Sequence, residues 1–204
     1  MRPDTDRPPD AGEGPELRAH RPNRGAIGLR MPGCQFASLL TMISVEEARP
    51  HDAPRLLALR EEAARWMQRT GVQQWAAGEV SLEHVRAQVG GREWFVMRQP
   101  EKVVAGLRLL WADESIWGPR PADAAYVHGL VIDRRRAGDG LGAALLTWAA
   151  DRASGAGRSF LRLDCVESNP ALRSYYLRAG FRQIGRRDLD GPWHSVVLLE
   201  RQLA

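Results

Sequence analysis

The chain has 204 residues, 44% of them hydrophobic, with 29 Lys and Arg against 25 Asp and Glu for a formal net charge of +4. That length predicts one domain with room for a tail, and no run approaches the roughly 20 unbroken apolar residues of a membrane span. Acids and bases are interspersed, without a block of interleaved basic and aromatic residues, so neither nucleic acid nor membrane is expected as a partner.

Residues 1–41 form a separate compositional zone in which Pro3, Pro8, Pro9, Pro15, Pro22 and Pro32 alternate with Gly and charges of both signs. Such a segment buries too little surface to offset its ordering entropy and is predicted to be disordered, a partner-binding arm being the functional alternative. Met31 and Met42 would each serve as the start of a complete domain, which is expected over residues 42–204. The first 30 residues show no apolar signal region, and the two cysteines, Cys34 and Cys165, lie far apart. Both observations point to a reducing, cytoplasmic setting without a disulfide framework.

Order is expected from Ile43, with a first strand over residues 43–48. Asp52 or Ala53 caps a helix over residues 54–69, with Pro54 in its first turn and Thr70-Gly71 as its stop. A loop carrying Trp75 leads to a second helix from Ser81 to Gly90-Gly91. Residues 94–98, 103–111 and 124–132 then read as a meander of strands. The longer loop between the last two carries Trp117 and forms either a substrate wall or a solvated connection.

The strand ending at Ile132 runs through a basic turn, Arg134-Arg135-Arg136, into Ala137-Gly138-Asp139-Gly140-Leu141-Gly142-Ala143. Leu141, Leu145, Trp148 and Ala149 follow at helical spacing. Glycines turn the backbone sharply and leave its N–H groups uncovered. A helix entered this way presents free donors and a positive dipole end, so an anion, phosphate above all, is the expected ligand. Residues 159–166 form a further strand, parallel to the one before the loop because a helix crosses between them. Asn169-Pro170 caps a helix through Leu172, Tyr175, Tyr176 and Leu177, Gly180 ends it, and residues 181–187 and 193–200 close the chain as a hairpin. The order predicts an α+β fold: a mixed sheet, antiparallel in its N-terminal strands and parallel at its centre, with four flanking helices.

Two readings of the loop compete. Gly138-x-Gly140-x-x-Ala143 matches the dinucleotide fingerprint, with Asp164 ending a strand where a ribose-binding acid belongs. Residues 133–137, however, separate the strand from the first glycine, and the repeated βα units of that fold do not follow. A P-loop is excluded because no Gly-Lys-Ser/Thr follows the glycines.

The second reading is a resemblance. The glycine loop resembles the acetyl-CoA signature Arg/Gln-x-x-Gly-x-Gly/Ala of GNAT-family N-acetyltransferases. Asn169, Tyr175-Tyr176 and Gly180-Phe181 are similar to that family's N…Y-x-x-x-G-F segment. Ala137 stands where Arg or Gln is usual, and Asp139 where a basic or neutral residue is common. A carboxylate a few ångströms from a diphosphate costs on the order of 1 kcal/mol in a solvated loop, which Arg134, Arg135 and Arg136 can offset by turning inward.

The resemblance implies acetyl-CoA as co-substrate, no metal, and a central pair of strands splayed around the coenzyme. Pantetheine would pair with the strand at Leu130, Val131 and Ile132. The diphosphate would rest on Ala137, Gly138, Asp139, Gly140, Leu141, Gly142 and Ala143, with Asn169 and Tyr176 as further contacts. It also implies acetyl transfer to the amine of a small-molecule or peptide acceptor by direct attack in a ternary complex. A non-catalytic acyl-CoA-binding sensor of the same fold is the alternative.

An amine of pKa ~10 lies about 4 kcal/mol from its nucleophilic form at pH 7, so a base or water chain is needed. Tyr176 holds the family's tyrosine position and is the candidate acid for the leaving thiolate, Tyr175 taking a packing role. The family often carries Glu on the strand before the loop, where this chain offers Tyr126 and His128. His128 shares the face of Leu130 and Ile132 and reads either as base or as a structural histidine; Glu167 is the second choice. Trp75, Trp111 and Trp117 lie in or beside loops and, with Tyr126 and Glu167, are assigned to the acceptor pocket, implying a partly apolar or cationic small molecule. His51, His84 and His194 show no metal-ligand spacing, and Cys165 reads as a small core residue. A homodimer is one arrangement left open.

Overall fold

The computed structural model of the protein describes residues 44–190 and 195–204. The expected tail, Cys34, His194 and the start of the last strand at Trp193 lie outside them. In chain order the elements are β1 (Val45–Glu47), α1 (Ala53–Arg69), α2 (Leu82–Gly90), β2 (Trp94–Arg98), β3 (Val103–Leu110), α3 (Glu114–Trp117), β4 (Ala124–Ile132), α4 (Leu141–Gly155), β5 (Phe160–Val166), α5 (Pro170–Arg178), β6 (Arg182–Asp188) and β7 (Ser195–Gln202). Five α-helices are thus present among the described residues, against the four expected. The addition, α3, is four residues long, started by Asp113, whose side chain accepts the Ile116 N–H, and stopped by Gly118 at φ +67°. So short a turn shows no period in a sequence.

One seven-stranded sheet runs in the order β1-β2-β3-β4-β5-β7-β6. Every neighbouring pair is antiparallel except β4 and β5, which the crossover through α4 makes parallel. One face packs Leu145, Leu146, Ala149 and Ala153 of α4 against Leu107, Ala125, Leu161, Leu163 and Leu199. On the other, Leu56, Leu59, Val85 and Val89 of α1 and α2 cover Trp94, Val96 and Val131. Each fully buried leucine contributes roughly 1.5–3 kcal/mol, so both faces hold the sheet firmly.

The parallel pair is short. Its register runs from Ala124↔Phe160 to Val127↔Leu163 and stops. Beyond that point β5 stays with β7 as far as Val166↔Val196, while β4 stays with β3 as far as Ile132↔Ala105. A bulge drives the divergence: Gly106 pairs with Val131 and Arg108 with His128, so Gly129 and Leu130 both oppose Leu107. Gly129 sits at φ +57°, and a Cβ there would meet the Trp94 ring at 3.0 Å, so both backbone and space require glycine. The result is a wedge that opens from His128 and Asp164 toward the glycine loop.

Candidate active site

The wedge forms a cleft of about 560 Å³. Residues 128–130 of β4 and 164–166 of β5 line its sides, the glycine loop lines one end, and Trp75, Tyr175 and Tyr176 complete its walls.

The loop is anchored before it begins. Asp133, 2% exposed, accepts from Arg55 Nη2 at 2.7 Å and Arg135 Nη2 at 2.7 Å. Hydrogen bonds from Arg135 hold its carboxyl well below the usual carboxylate range, with Arg55 adding to the effect. Arg134 stacks over Trp66 at 3.9 Å and lines the cleft. Gly138 and Gly140 take φ +96° and +77°. Gly140 is the N-cap of α4 and supplies no capping side chain, which leaves the first-turn N–H groups to a ligand. At Gly142 an added Cβ would lie 2.7 Å from Tyr175 Oη, so the phenol closes directly over the loop. Uncapped donors, a stacked arginine and an unpaired strand edge fit a diphosphate carried on a linear arm.

Asp139 turns away from the cleft wall and pairs with Arg136, which also reaches Gln99. The arginine expected to compensate the carboxylate thus does so by direct contact. Ala137 lines the cleft, whereas Val131 is buried against α1 and α2, leaving only its backbone for the coenzyme.

His128 stands where the strands part. Its Nε2 lies 3.0 Å from Asp113 Oδ2 and its Nδ1 3.9 Å from Asp164 Oδ1. Asp113, buried at the start of α3, also accepts from Ser115 Oγ at 2.7 Å and Ile116 N at 3.3 Å. Burial pushes its carboxyl up, but the hydrogen bonds from His128 and Ser115 outweigh that and lower its pKa. Asp164 is the converse: burial raises it, the Asp113 charge adds, and its Oδ1 has no hydrogen-bond partner among the described residues. The three side chains place one ligand atom each within 4.8 Å of one another. Since Nε2 and Asp113 Oδ2 are engaged with each other, an ion between them would have to break that bond.

Tyr176 reaches the cleft wall although only 6% exposed, packed edge-on against Phe181 and Tyr175. Burial pushes its phenol far above the ordinary range, so it stays protonated and can hydrogen-bond a thiolate. Cys165 lies alongside, its thiol pushed up to about 11 by burial, and is inert. Asn169 caps α5 through Leu172 N at 3.0 Å and donates to Gln74 Oε1 at 2.9 Å, and it is Gln74 that lines the cleft.

Of the side chains assigned to the acceptor, the structure brings Trp75 to the cleft, beneath Arg60 at 5.0 Å. Trp117 and Tyr126 lie elsewhere, because the buried Arg162 guanidinium takes their rings at 5.5 and 5.8 Å and ion-pairs with Glu200 at 2.9 Å. Trp111 borders a separate hollow, within 5.5 Å of Arg158. Glu167 bonds Ser195 at 2.6 Å and Arg186 at 2.7 Å and does not line the cleft, whereas His128 does. Asp113 and Gly129 were missed as site residues. An N-cap reading of Asp113-x-x-Ile116 and a bulge reading of a glycine inside a strand were the signals available.

Among the described residues no helix is long and apolar enough to cross a membrane. The model of the Acetyltransferase (GNAT) family matches residues 56–181. The chain is 32% identical over 142 residues to the uncharacterized N-acetyltransferase YesJ of Bacillus subtilis (strain 168), covering 66% of this chain and 78% of that one. Its fold is similar to a GNAT-family acetyltransferase from Listeria monocytogenes 4b F2365, with a TM-score of 0.66, 23% identity and coverage of 79% and 95% of the two chains. It is also similar to yncA, a putative acetyltransferase from Salmonella typhimurium solved with its cofactor acetyl-CoA, with a TM-score of 0.61, 16% identity and coverage of 79% and 94%. A wedge between parallel strands, ending on an uncapped glycine loop and read beside a family match across most of the described residues, leaves one conclusion: the protein belongs to the GNAT family of acetyltransferases.

Proposed function

We propose that the protein transfers the acetyl group of acetyl-CoA to the amine of a small-molecule or peptide acceptor, by direct attack while both substrates are bound. The observation that carries this reading is the splay of β4 from β5 beside His128, which brings an unpaired strand edge, the glycine loop and a histidine to one cleft. Acetyl-CoA supplies a thioester carbonyl. The first-turn donors of α4 hold the diphosphate and the β4 edge at residues 128–132 aligns the arm. Asp113 accepts from His128 Nε2, so the lone pair on Nδ1 faces the cleft and takes the proton that the amine loses as its C–N bond forms. The thiolate released when the C–S bond breaks is hydrogen-bonded by the Tyr176 hydroxyl. A cytoplasmic location, where acetyl-CoA is available, completes this reading.

The second reading, a non-catalytic acyl-CoA module, is favoured by one feature: Arg136 is drawn to Asp139. Calorimetric titration with acetyl-CoA, followed by release of coenzyme A thiol over an amine panel, separates the two. Saturable binding with thiol release supports the enzyme. Binding without release for any amine supports the module.

A further inference from the structure

The acceptor end of the cleft has a chemistry that narrows the acceptor. Asp164 lies on β5 one residue past the last β4 pair, at the fork itself. Its side chain is 17% exposed, yet Oδ1 is closed off and takes no hydrogen bond among the described residues. A buried carboxylate oxygen without a donor is costly, and such an oxygen on a cleft wall marks a place for a ligand's donor. Oδ1 lies 3.9 Å from His128 Nδ1, too long for a hydrogen bond. Since Oδ1 is closed off, a ligand nitrogen bridges the carboxylate and Nδ1 only once the carboxyl rotates about its Cβ–Cγ bond to turn an oxygen into the cleft. Ile116, Leu189 and Val196, all apolar, also line the cleft. The cationic side chains lining the cleft, Arg134 and Arg136, belong to the coenzyme end, where one stacks on Trp66 and the other holds Asp139.

Resting on the acetyl-transfer reading, we propose that Asp164 anchors the acceptor. With His128 Nδ1 it forms a two-point receptor for the nitrogen of a cationic primary amine that bears a compact apolar group and no carboxylate. An ammonium gives one N–H to the Asp164 carboxylate and another to Nδ1, through which its first proton leaves to solvent. The neutral amine then attacks, and Nδ1 takes the second proton as the C–N bond forms and the C–S bond breaks. An α-carboxylate would meet two aspartates and, among the described residues that line the cleft, no arginine outside the coenzyme end, so amino acids bind less well than amines. Binding relieves the uncompensated burial of Asp164, which is why the site keeps a carboxyl there at a cost to the free protein.

The test uses equilibrium binding, so that it does not depend on turnover. Protein saturated with coenzyme A is titrated with phenethylamine and with phenylalanine by calorimetry, for wild type, Asp164→Asn and Asp164→Ser. Wild type is expected to bind the amine at least 10-fold more tightly than the amino acid. Both variants are expected to lose at least 10-fold in amine affinity with coenzyme A affinity unchanged and without loss of thermal stability. Equal amine affinity in a folded variant overturns the proposal. So does phenylalanine binding wild type as well as phenethylamine, or no amine binding at all, whether or not the variants fold. If the amine binds as described but no thiol is released from acetyl-CoA, the receptor stands and the acetyl-transfer reading falls.

Discussion

His128 Nε2 and Asp113 Oδ2 lie 3.0 Å apart, one on β4 and the other at the start of α3. The aspartate is itself held by Ser115 and Ile116, so it fixes both the tautomer and the tilt of the imidazole. Asp113→Asn presents an amide that can stabilise the other tautomer. It is expected to lower kcat by roughly 10-fold or more while leaving the KM for acetyl-CoA unchanged, against about 100-fold for His128→Ala. Because the two act as a unit, the double variant should be no slower than His128→Ala in steady-state assays.

Tyr176→Phe deletes a hydroxyl that reaches the cleft and takes no partner among the described residues, so packing against Phe181 survives. A fall in kcat of about 10-fold or more with an unchanged melting temperature is expected. An unchanged rate removes the tyrosine from the chemistry.

Gly142→Ala places a methyl 2.7 Å from Tyr175 Oη, in a loop whose donors face the ligand. Acetyl-CoA binding measured by calorimetry should weaken about 10-fold, as expected for ~1.4 kcal/mol of misplacement. Tyr175→Phe removes the clashing oxygen, and the double variant should recover most of the affinity.

Asp139→Asn frees Arg136 from its carboxylate partner and removes a negative charge beside the diphosphate cradle. The pair is solvent-exposed, so the effect is modest: a twofold to fivefold tighter Kd for acetyl-CoA, corresponding to roughly 0.5–1 kcal/mol. The gain should shrink in high salt. A weaker Kd would show that Asp139 supports the loop's shape more than it opposes the ligand.

Burial raises the Asp164 carboxyl in the folded protein, whereas an unfolded aspartate titrates near 3.9. The folded state therefore keeps its proton where the unfolded chain has lost it, and stability falls as pH rises from about 4 through the folded value. Asp113 and Asp133, both lowered, act oppositely: their stabilisation is present above about 4 and is lost as pH falls. Asp164→Asn removes the first slope and keeps the second. Its melting temperature should exceed wild type by a few degrees at pH 8, the gap closing toward pH 4.

Most elements were legible because their ends are chemically marked. Thr70-Gly71, Gly90-Gly91, Asn169-Pro170 and Gly180 punctuate α1, α2 and α5 where the structure does. The glycine loop and Tyr176 were legible as motifs. What escaped was whatever depends on sheet order: Asp113 and Asp164 are remote in sequence and meet at His128 only because β4 lies between β3 and β5. Trp111 and Trp117, unlike Trp75, misled for a related reason. Their place in or beside loops was plain, but that Trp117 turns inward onto a buried arginine follows from Arg162, whose burial a strand alternation does not announce.

The bulge at Gly129 has a consequence for what the wedge lets in. An unpaired strand edge ordinarily recruits any extended polypeptide. Here the edge opens into a cleft that the rings of Tyr175 and Trp75 also line. A peptide entering it would carry side chains alternately up and down into those rings. A thin chain with amide groups and little branching slides in where a peptide is turned back. Sterics thus let this sheet stay open at its centre without becoming a template for other proteins.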